Sequence, residues 1–216
     1  QYARLTGDRE FPLAFGVERN FSNLLPNAML SFRPEKGTSL RFFYRTNTRE
    51  PSIDQLQDVV DISNPLFLRA GNTRLAQSYT HSLTARYGRT IANKGTSFFA
   101  MASASLTDAY IGTSSSIATN APVVVDGITI PAGGQLSRPV NLDGAWNGRS
   151  FITYGLPVKP LKSNLNLNGG YTFNRLPALI NDQLNLANNH TLSQGVMLSS
   201  NISERIDFAV GYTANW

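Results

Sequence analysis

Few residues in this 216-residue sequence have the types and spacing that catalysis requires. Its two histidines, His81 and His190, stand far apart, and neither has a partner at metal-ligand spacing. We expect each to be an interfacial residue of a strand. No nucleophile elbow, phosphate-binding glycine loop or pair of catalytic carboxylates can be recognised. The sequence therefore predicts a protein that is not an enzyme, with no catalytic residue and no cofactor.

Three carboxylates form the best candidate for a cation site. Asp54, Asp58 and Asp61 are spaced at i, i+4 and i+7, which would place them on one face of a helix. Carboxylate oxygens can gather Ca²⁺, but the Asp-x-Asp-x-Asp-Gly order of a calcium loop is absent. A solvated loop face is the favoured interpretation, and no metal site is predicted.

Four arginines lie at polar positions of segments in which polar and apolar residues alternate. One function for them would be to guide an anionic ligand or to bind a plug domain through bidentate hydrogen bonds. The simpler interpretation, an ordinary charge facing a wet interior, is favoured. The four are Arg41, Arg45, Arg86 and Arg149.

The elements that carry these residues are strands. Residues 164–174 read Asn-Leu-Asn-Leu-Asn-Gly-Gly-Tyr-Thr-Phe-Asn, so the Leu and aromatic side chains share one face and the amides share the other. Such a strand suits a wall between hydrocarbon and water. The same alternation recurs along the chain, although the face of residues 192–200 is ambiguous.

Composition agrees with a membrane wall. Only 15% of residues are charged and none is cysteine, whereas a soluble domain carries about 25% charged residues. No apolar run approaches the roughly 18 residues of a membrane helix, so a membrane-embedded chain would have to be a barrel. The net charge of +5 is spread without a basic block, which argues against nucleic-acid binding.

The pattern predicts eight full strands after a stub at residues 1–6. Short turns at 33–38, 91–96, 159–163 and 201–204 should lie on one side, and long loops at 50–77, 112–136 and 176–189 on the other. Glu204, Arg205 and Asp207 should face periplasmic water at a short turn. The predicted strands are 21–33, 38–48, 78–89, 96–111, 137–158, 163–175, 190–201 and 205–216.

Two loops should contain structure of their own. Residues 123–130 read Val-Val-Val-Asp-Gly-Ile-Thr-Ile, which predicts a projecting hairpin with a type I′ turn at Asp126-Gly127. Residues 51–58 predict a short helix that begins at Pro51 or Ser52. Aromatic residues near the strand ends fit interfacial girdles, and equally the general preference of aromatics for strands.

Several strings in this order resemble the barrel of TonB-dependent outer-membrane receptors, in particular the outer-membrane β-barrel proteins of Bacteroidetes. The resemblance covers about residues 21–216, and the segment at 71–78 departs from the family's pattern. The strings are Tyr-Arg-Thr-Asn-Thr-Arg-Glu-Pro-Ser-Ile-Asp-Gln-Leu at 44–56, Asn-Pro-Leu at 64–66, Gly-Asn-Thr-Arg-Leu at 71–75, Gly-Gln at 134–135, Pro-Val-Asn-Leu-Asp-Gly at 139–144, Tyr-Gly-Leu-Pro at 154–157, Ile-Asn at 180–181, Leu-Ser-Ser-Asn-Ile-Ser at 198–203 and Asp-Phe at 207–208.

The resemblance implies an all-β, antiparallel up-and-down transmembrane β-barrel of roughly 22 strands in the bacterial outer membrane. Residues 1–216 would be part of that single barrel domain, with the plug and the remaining strands outside this chain. A small closed eight-stranded barrel is the alternative fold, although a lumen side of Asn, Ser, Thr, Gly and Arg would fill a narrow interior poorly.

The same resemblance implies uptake of a scarce nutrient such as a metal chelate, glycan or peptide. The partners would be outer-membrane lipid, a TonB-type energy-coupling protein and a surface lipoprotein. A barrel that docks envelope partners without transport, and a soluble carbohydrate-binding β-protein, are the alternatives. Ligand contacts are expected from the long loops, at Arg49, Asp54, Gln55, Asn72 and Arg74.

Overall fold

Strands make up most of the chain in the computed structural model, which describes residues 2–9, 15–57, 59–200 and 208–216. Among these residues, no helix has the length and apolar character needed to cross a membrane. The strands are β1 (Tyr2–Arg9), β2 (Phe15–Ser22), β3 (Asn27–Phe32), β4 (Thr38–Arg49), β5 (Val60–Asp61), β6 (Phe67–Ala70), β7 (Ser78–Ile91), β8 (Thr96–Asp108), β9 (Tyr110–Ile117), β10 (Val123–Val125), β11 (Ile128–Ile130), β12 (Gln135–Leu142), β13 (Ala145–Val158), β14 (Ser163–Ile180), β15 (Gln183–Ser200) and β16 (Ala209–Asn215).

Eight of these strands form a continuous antiparallel wall in the order β3-β4-β7-β8-β13-β14-β15-β16. The wall curls into about half of a barrel. Among the described residues, β3 pairs only with β4 and β16 only with β15, so the two edges do not meet. The predicted all-β, up-and-down wall of eight strands is confirmed, and the described sheet is an open wall, not a small closed barrel.

The register of the wall keeps each side chain type on its own face. One row runs through paired residues from Leu83 to Ala104, Gly148, Phe173 and His190. These are the alternate positions of each strand at which the sequence carries mainly apolar residues, called here the apolar parity. The larger side chains of this parity are broadly exposed, and Leu83 keeps 53% of its surface accessible. Because a slip of one residue would turn every side chain to the opposite face, this register builds a continuous apolar surface, called here the membrane face.

The opposite surface, called here the lumen face, is formed by the remaining alternate positions of each strand, called here the polar parity, which carry mainly polar residues. A row of paired residues runs from Phe43 through Thr84, Ser103 and Arg149 to Thr172. The register also settles the ambiguous segment, because Leu192 pairs with Tyr171 of the membrane face.

Short connections lie on one side of the wall, as predicted. A 3₁₀ turn at Ala92–Lys94 joins β7 to β8, and another at Lys159–Leu161 joins β13 to β14. The turn before β4 needs Gly37, because φ is +84° and a Cβ would lie 2.4 Å from the Thr90 carbonyl oxygen. The predicted turn at 201–204, with Glu204, Arg205 and Asp207, lies outside the described residues.

The prediction of one long strand at 137–158 is wrong, because this segment forms two strands with different partners. β12 ends at Leu142 and β13 begins at Ala145, with Gly144 at φ +87° between them. Ala109, at φ +49°, likewise divides the predicted 96–111 strand into β8 and β9. The Asp143 carboxylate accepts a hydrogen bond from the Ala109 amide at 3.1 Å and so joins the two breaks. Above this kink, β9 and β12 turn away from the wall.

The redirected strands form a second layer on the loop side, called here the outer sheet. It consists of β5, β6, β12 and β9, and it joins the loop end of β14. The β12–β6 and β9–β14 pairings are parallel and the others are antiparallel. Its small core contains Leu68, Ile130 and Leu136, which are at most 5% exposed. The loops are therefore a folded layer.

The predicted long loop at 176–189 is also wrong. β14 and β15 pair without interruption from Ser163↔Ser200 to Ile180↔Gln183. Only Asn181 and Asp182 turn the chain, at φ +49° and +61°. Successive positive φ angles are those of a type I′ hairpin turn, so this hairpin continues beyond the wall to reach the outer sheet.

Two smaller predictions concern the start of the chain. The strand predicted at 21–33 is interrupted: β2 ends at Ser22 and β3 begins at Asn27. Residues 2–6 of the stub predicted at 1–6 belong to β1, which pairs with β2 in a separate two-stranded sheet, and residue 1 lies outside the described residues. Pro26 lies in the break, where its missing amide donor disfavours a continuous strand.

The hairpin predicted at 123–130 is confirmed as β10 and β11, called here the flap. Asp126 and Gly127 have φ of +48° and +79°, as a type I′ turn requires. The flap packs on the outer sheet through Ile130, which is fully buried.

The short helix is confirmed as α1 (Ile53–Leu56), and Ser52 is its N-cap in a capping box with Gln55. The helix ends too early to place the three carboxylates on one face. Asp61 lies in β5, and Asp58 is outside the described residues.

Candidate functional site

The lumen face of the wall carries five exposed arginines. They share the polar parity with Asn, Ser and Thr, and none has an ion pair among the described residues. The five are Arg41, Arg45, Arg49, Arg86 and Arg149.

Three of these arginines surround one aromatic ring. The guanidinium carbon of Arg86 lies 5.2 Å from the centroid of the Phe43 ring, within the range of a cation–π contact. Arg41 and Arg45 flank Phe43 on β4, two residues before and after it, and therefore share its face. Arg41 is also the direct cross-strand partner of Arg86. The site therefore combines concentrated positive charge with an apolar ring.

A second candidate site is a cavity of about 480 Å³ between the outer sheet and the β14–β15 tip. Arg138 forms an ion pair with Asp126 of the flap there. The cavity is mainly polar and holds both signs of charge. Its polar lining includes Asn72, Arg74, Ser114, Asp126, Arg138 and Asp182.

A third candidate site is a cavity of about 750 Å³, which lies beside α1 and shares Gly71 and Arg138 with the smaller cavity. The Ser63 hydroxyl and backbone amide donate to Asp61 and lower the pKa of that carboxyl. Among the described residues, no three His, Asp or Glu side chains come close enough to hold one metal ion. The lining includes Asp54, Gln55, Asp61, Arg69, Arg138 and Pro139.

The structure brings four of the five sequence-predicted ligand residues to these two cavities. Asp54 and Gln55 line the larger, Asn72 and Arg74 the smaller, and Arg49 lies apart on the lumen face.

Two of the four also have structural roles. The Gln55 side chain accepts from the Ser52 amide at 3.0 Å, and the Asn72 side chain donates to the Pro139 carbonyl at 3.1 Å. The exposed Asp54 and Arg74 are the better candidates for ligand contact.

Sequence reasoning missed Arg69 and Arg138 as lining residues. Five strands, β7 to β11, separate Arg138 from Arg74 along the chain, and only the parallel pairing of β12 with β6 brings their segments together. The motif at 139–144 lies just after Arg138, but alternation alone gave no reason to single the arginine out.

Both histidines lie in aromatic clusters on the membrane face, toward the loop side. His81 Nδ1 is 2.7 Å from Tyr44 Oη, and His190 Nδ1 is 2.8 Å from Tyr171 Oη. The Trp146 and Phe173 rings lie between the two clusters, with centroids 4.3 Å apart. This is the arrangement of an interfacial aromatic girdle.

A second aromatic group lies toward the turn side. Phe98 contacts Tyr87 and Tyr154, with ring centroids 5.9 and 6.4 Å away. Tyr154 follows Trp146 by eight residues along β13, about 27 Å of extended chain. Strand tilt reduces that height to about the span of an apolar band in a membrane barrel.

An open, curled wall with one apolar face, two aromatic girdles and one polar face defines a membrane-spanning β-barrel. Residues 4–215 match the model of the outer membrane protein beta-barrel family, and the chain belongs to that family. The protein is located in the bacterial outer membrane. The search of curated proteins found no match.

Proposed function

We propose that this chain forms part of the wall of a TonB-dependent transporter that takes up a scarce nutrient, such as a metal chelate, glycan or peptide. The observation that carries the proposal is the pairing of an open wall, whose lumen face is polar and unfilled, with a folded outer sheet over its loop end. A wall of this kind belongs to a barrel wide enough for a solute, here taken as roughly 22 strands with a plug.

The two adjoining cavities support this proposal. Their combined polar lining gives a solute a binding surface at the loop side before it reaches the lumen. We further propose that Asp54 and Arg74 contact that solute, and that the protein has no enzymatic activity. Energy would come from a TonB-type partner in the inner membrane.

The test is uptake by cells. A strain that lacks the whole gene is compared with one that expresses it, using labelled metal chelates, oligosaccharides and peptides at limiting concentration. We expect gene-dependent uptake of one class, abolished by a protonophore. Uptake of every probe at equal rates in both strains would refute transport.

An exposed apolar group on the loop side favours a second candidate, docking of a surface lipoprotein. Ile62, Phe67, Val124 and Leu184 are each more than half exposed, and apolar patches of this kind mark protein contacts. Replacement of Phe67 and Val124 by Ser should then release a co-purifying envelope protein and leave uptake unchanged.

A further inference from the structure

We propose that the lumen face binds a polyanionic solute, with phosphate or carboxylate groups, at Arg41, Arg45 and Arg86. The proposal rests on the transport function above and specifies the chemical class of its substrate. Arg149 would extend the same site toward the centre of the wall.

The first argument is the charge of the face. The described wall strands hold five arginines at lumen-facing positions and no Asp or Glu there. Their one carboxylate, Asp108, ends β8 on the membrane-face parity and lies 3.6 Å from His81. A cleft lined by one sign of charge between low-dielectric walls concentrates ions of the opposite sign.

The second argument is that the pairing of two arginines lowers the stability of the sheet when no anion is bound. Arg41 and Arg86 face each other directly across β4 and β7, and like charges in that position destabilise a sheet. Moving either charge two residues along its strand would relieve the repulsion without changing the face. A bound anion would offset the repulsion and turn the pair into a bidentate clamp.

The third argument is preorganisation. The Phe43 ring holds the Arg86 guanidinium, and Arg41 and Arg45 lie beside it on the same face. Arg149 lies in the row of Phe43, three strands away, which is about 14 Å at the usual strand spacing. This separation suits a solute with several anionic groups better than a single small anion.

The test uses the full-length protein, purified from the outer membrane in detergent, with inorganic tripolyphosphate as the probe and calorimetry as the readout. The lumen variant is R41Q/R86Q/R149Q. The control, K36Q/K94Q/K159Q, removes the same net charge from exposed turn-side residues. We expect the lumen variant to bind about tenfold more weakly or worse and the control to stay within about twofold of wild type.

Absence of binding to the wild type, or equal weakening in both variants, would overturn the proposal. A lumen variant that binds tripolyphosphate normally but loses protease protection of a lumen segment would also overturn the proposal. That result would mean that the arginines pair with acidic residues of the protein itself. The uptake assay is read separately: binding without uptake of any solute contradicts only the transport function, and uptake of neutral solutes with no polyanion binding contradicts only this site.

Discussion

The Asn181 side chain accepts a hydrogen bond from the Ile117 amide at 2.7 Å, which ties the tip of the β14–β15 hairpin to the outer sheet. The Asn181 amide donates to the Ser115 carbonyl at 2.9 Å in the same contact. Asparagine tolerates the left-handed backbone conformation of this position. One residue therefore both turns the hairpin and fixes it over the wall.

Asn181→Gly should loosen the outer sheet without altering the hairpin turn. Glycine keeps the positive φ but removes the acceptor for the Ile117 amide, a loss of about 1 kcal/mol. We expect that amide to exchange with deuterium several-fold faster while the wall amides keep their protection. The matched control is Asp182→Gly, which also sits at positive φ; equal exchange in both variants would contradict the assignment.

Gly71→Ala should destabilise the outer layer. A Cβ at Gly71 would lie 2.0 Å from the Gln57 carbonyl oxygen and 2.9 Å from that of Gln55, so backbone must move. Overpacking of this kind costs about 1–3 kcal/mol. Limited proteolysis in detergent should cut residues 50–77 sooner, whereas Gly148→Ala, whose Cβ meets nothing closer than 3.9 Å, should behave like wild type.

The strands of the wall could be predicted from the sequence because the alternation of apolar and polar residues shows which side chains of a single strand share a face, without knowledge of its partners. Apart from the segment at 190–201, each predicted strand alternated apolar and polar residues clearly enough to show its apolar face, and short turns with Gly, Pro and Lys marked one side. The breaks at Ala109 and Gly144 could not be found this way, because the apolar parity runs on through Leu142 to Trp146. Residues 176–180 lost the alternation without losing the strand, because their partner strand continues beside them to the Asn181–Asp182 turn.

The arginine site was predicted only in part. Parity placed Arg41, Arg45, Arg86 and Arg149 on the lumen side, but parity is unchanged by a register shift of two residues. Such a shift would separate Arg41 from Arg86, and nothing local in either strand fixes their pairing. The loop cavities depended even more on pairing, since parallel contact between β6 and β12 is set by the folding of both loops.

A charge on the membrane face should cost far more than the same charge on the lumen face. Ala102 lies midway along β8 on the membrane face, and Ser105 lies on the lumen face of the same strand. Ala102→Lys should destabilise the folded barrel by about 2–4 kcal/mol, whereas Ser105→Lys should change it little. Urea titration of the protein in lipid vesicles, followed by tryptophan fluorescence, measures both. Similar costs for the two would mean that the faces are assigned wrongly.

Asp126→Asn should loosen the flap while keeping its turn. Asn-Gly forms a type I′ turn as readily as Asp-Gly, so the substitution removes only the ion pair with Arg138. Asp126 is largely exposed, so the loss should be within about 1 kcal/mol. We expect faster exchange of the β10 and β11 amides at low salt, and a difference from wild type that shrinks at high salt because ions screen the pair. Asp182→Asn, which changes the same cavity without breaking an ion pair among the described residues, should leave the flap unchanged. Faster flap exchange in both variants would show that cavity charge, and not the Arg138 contact, holds the flap.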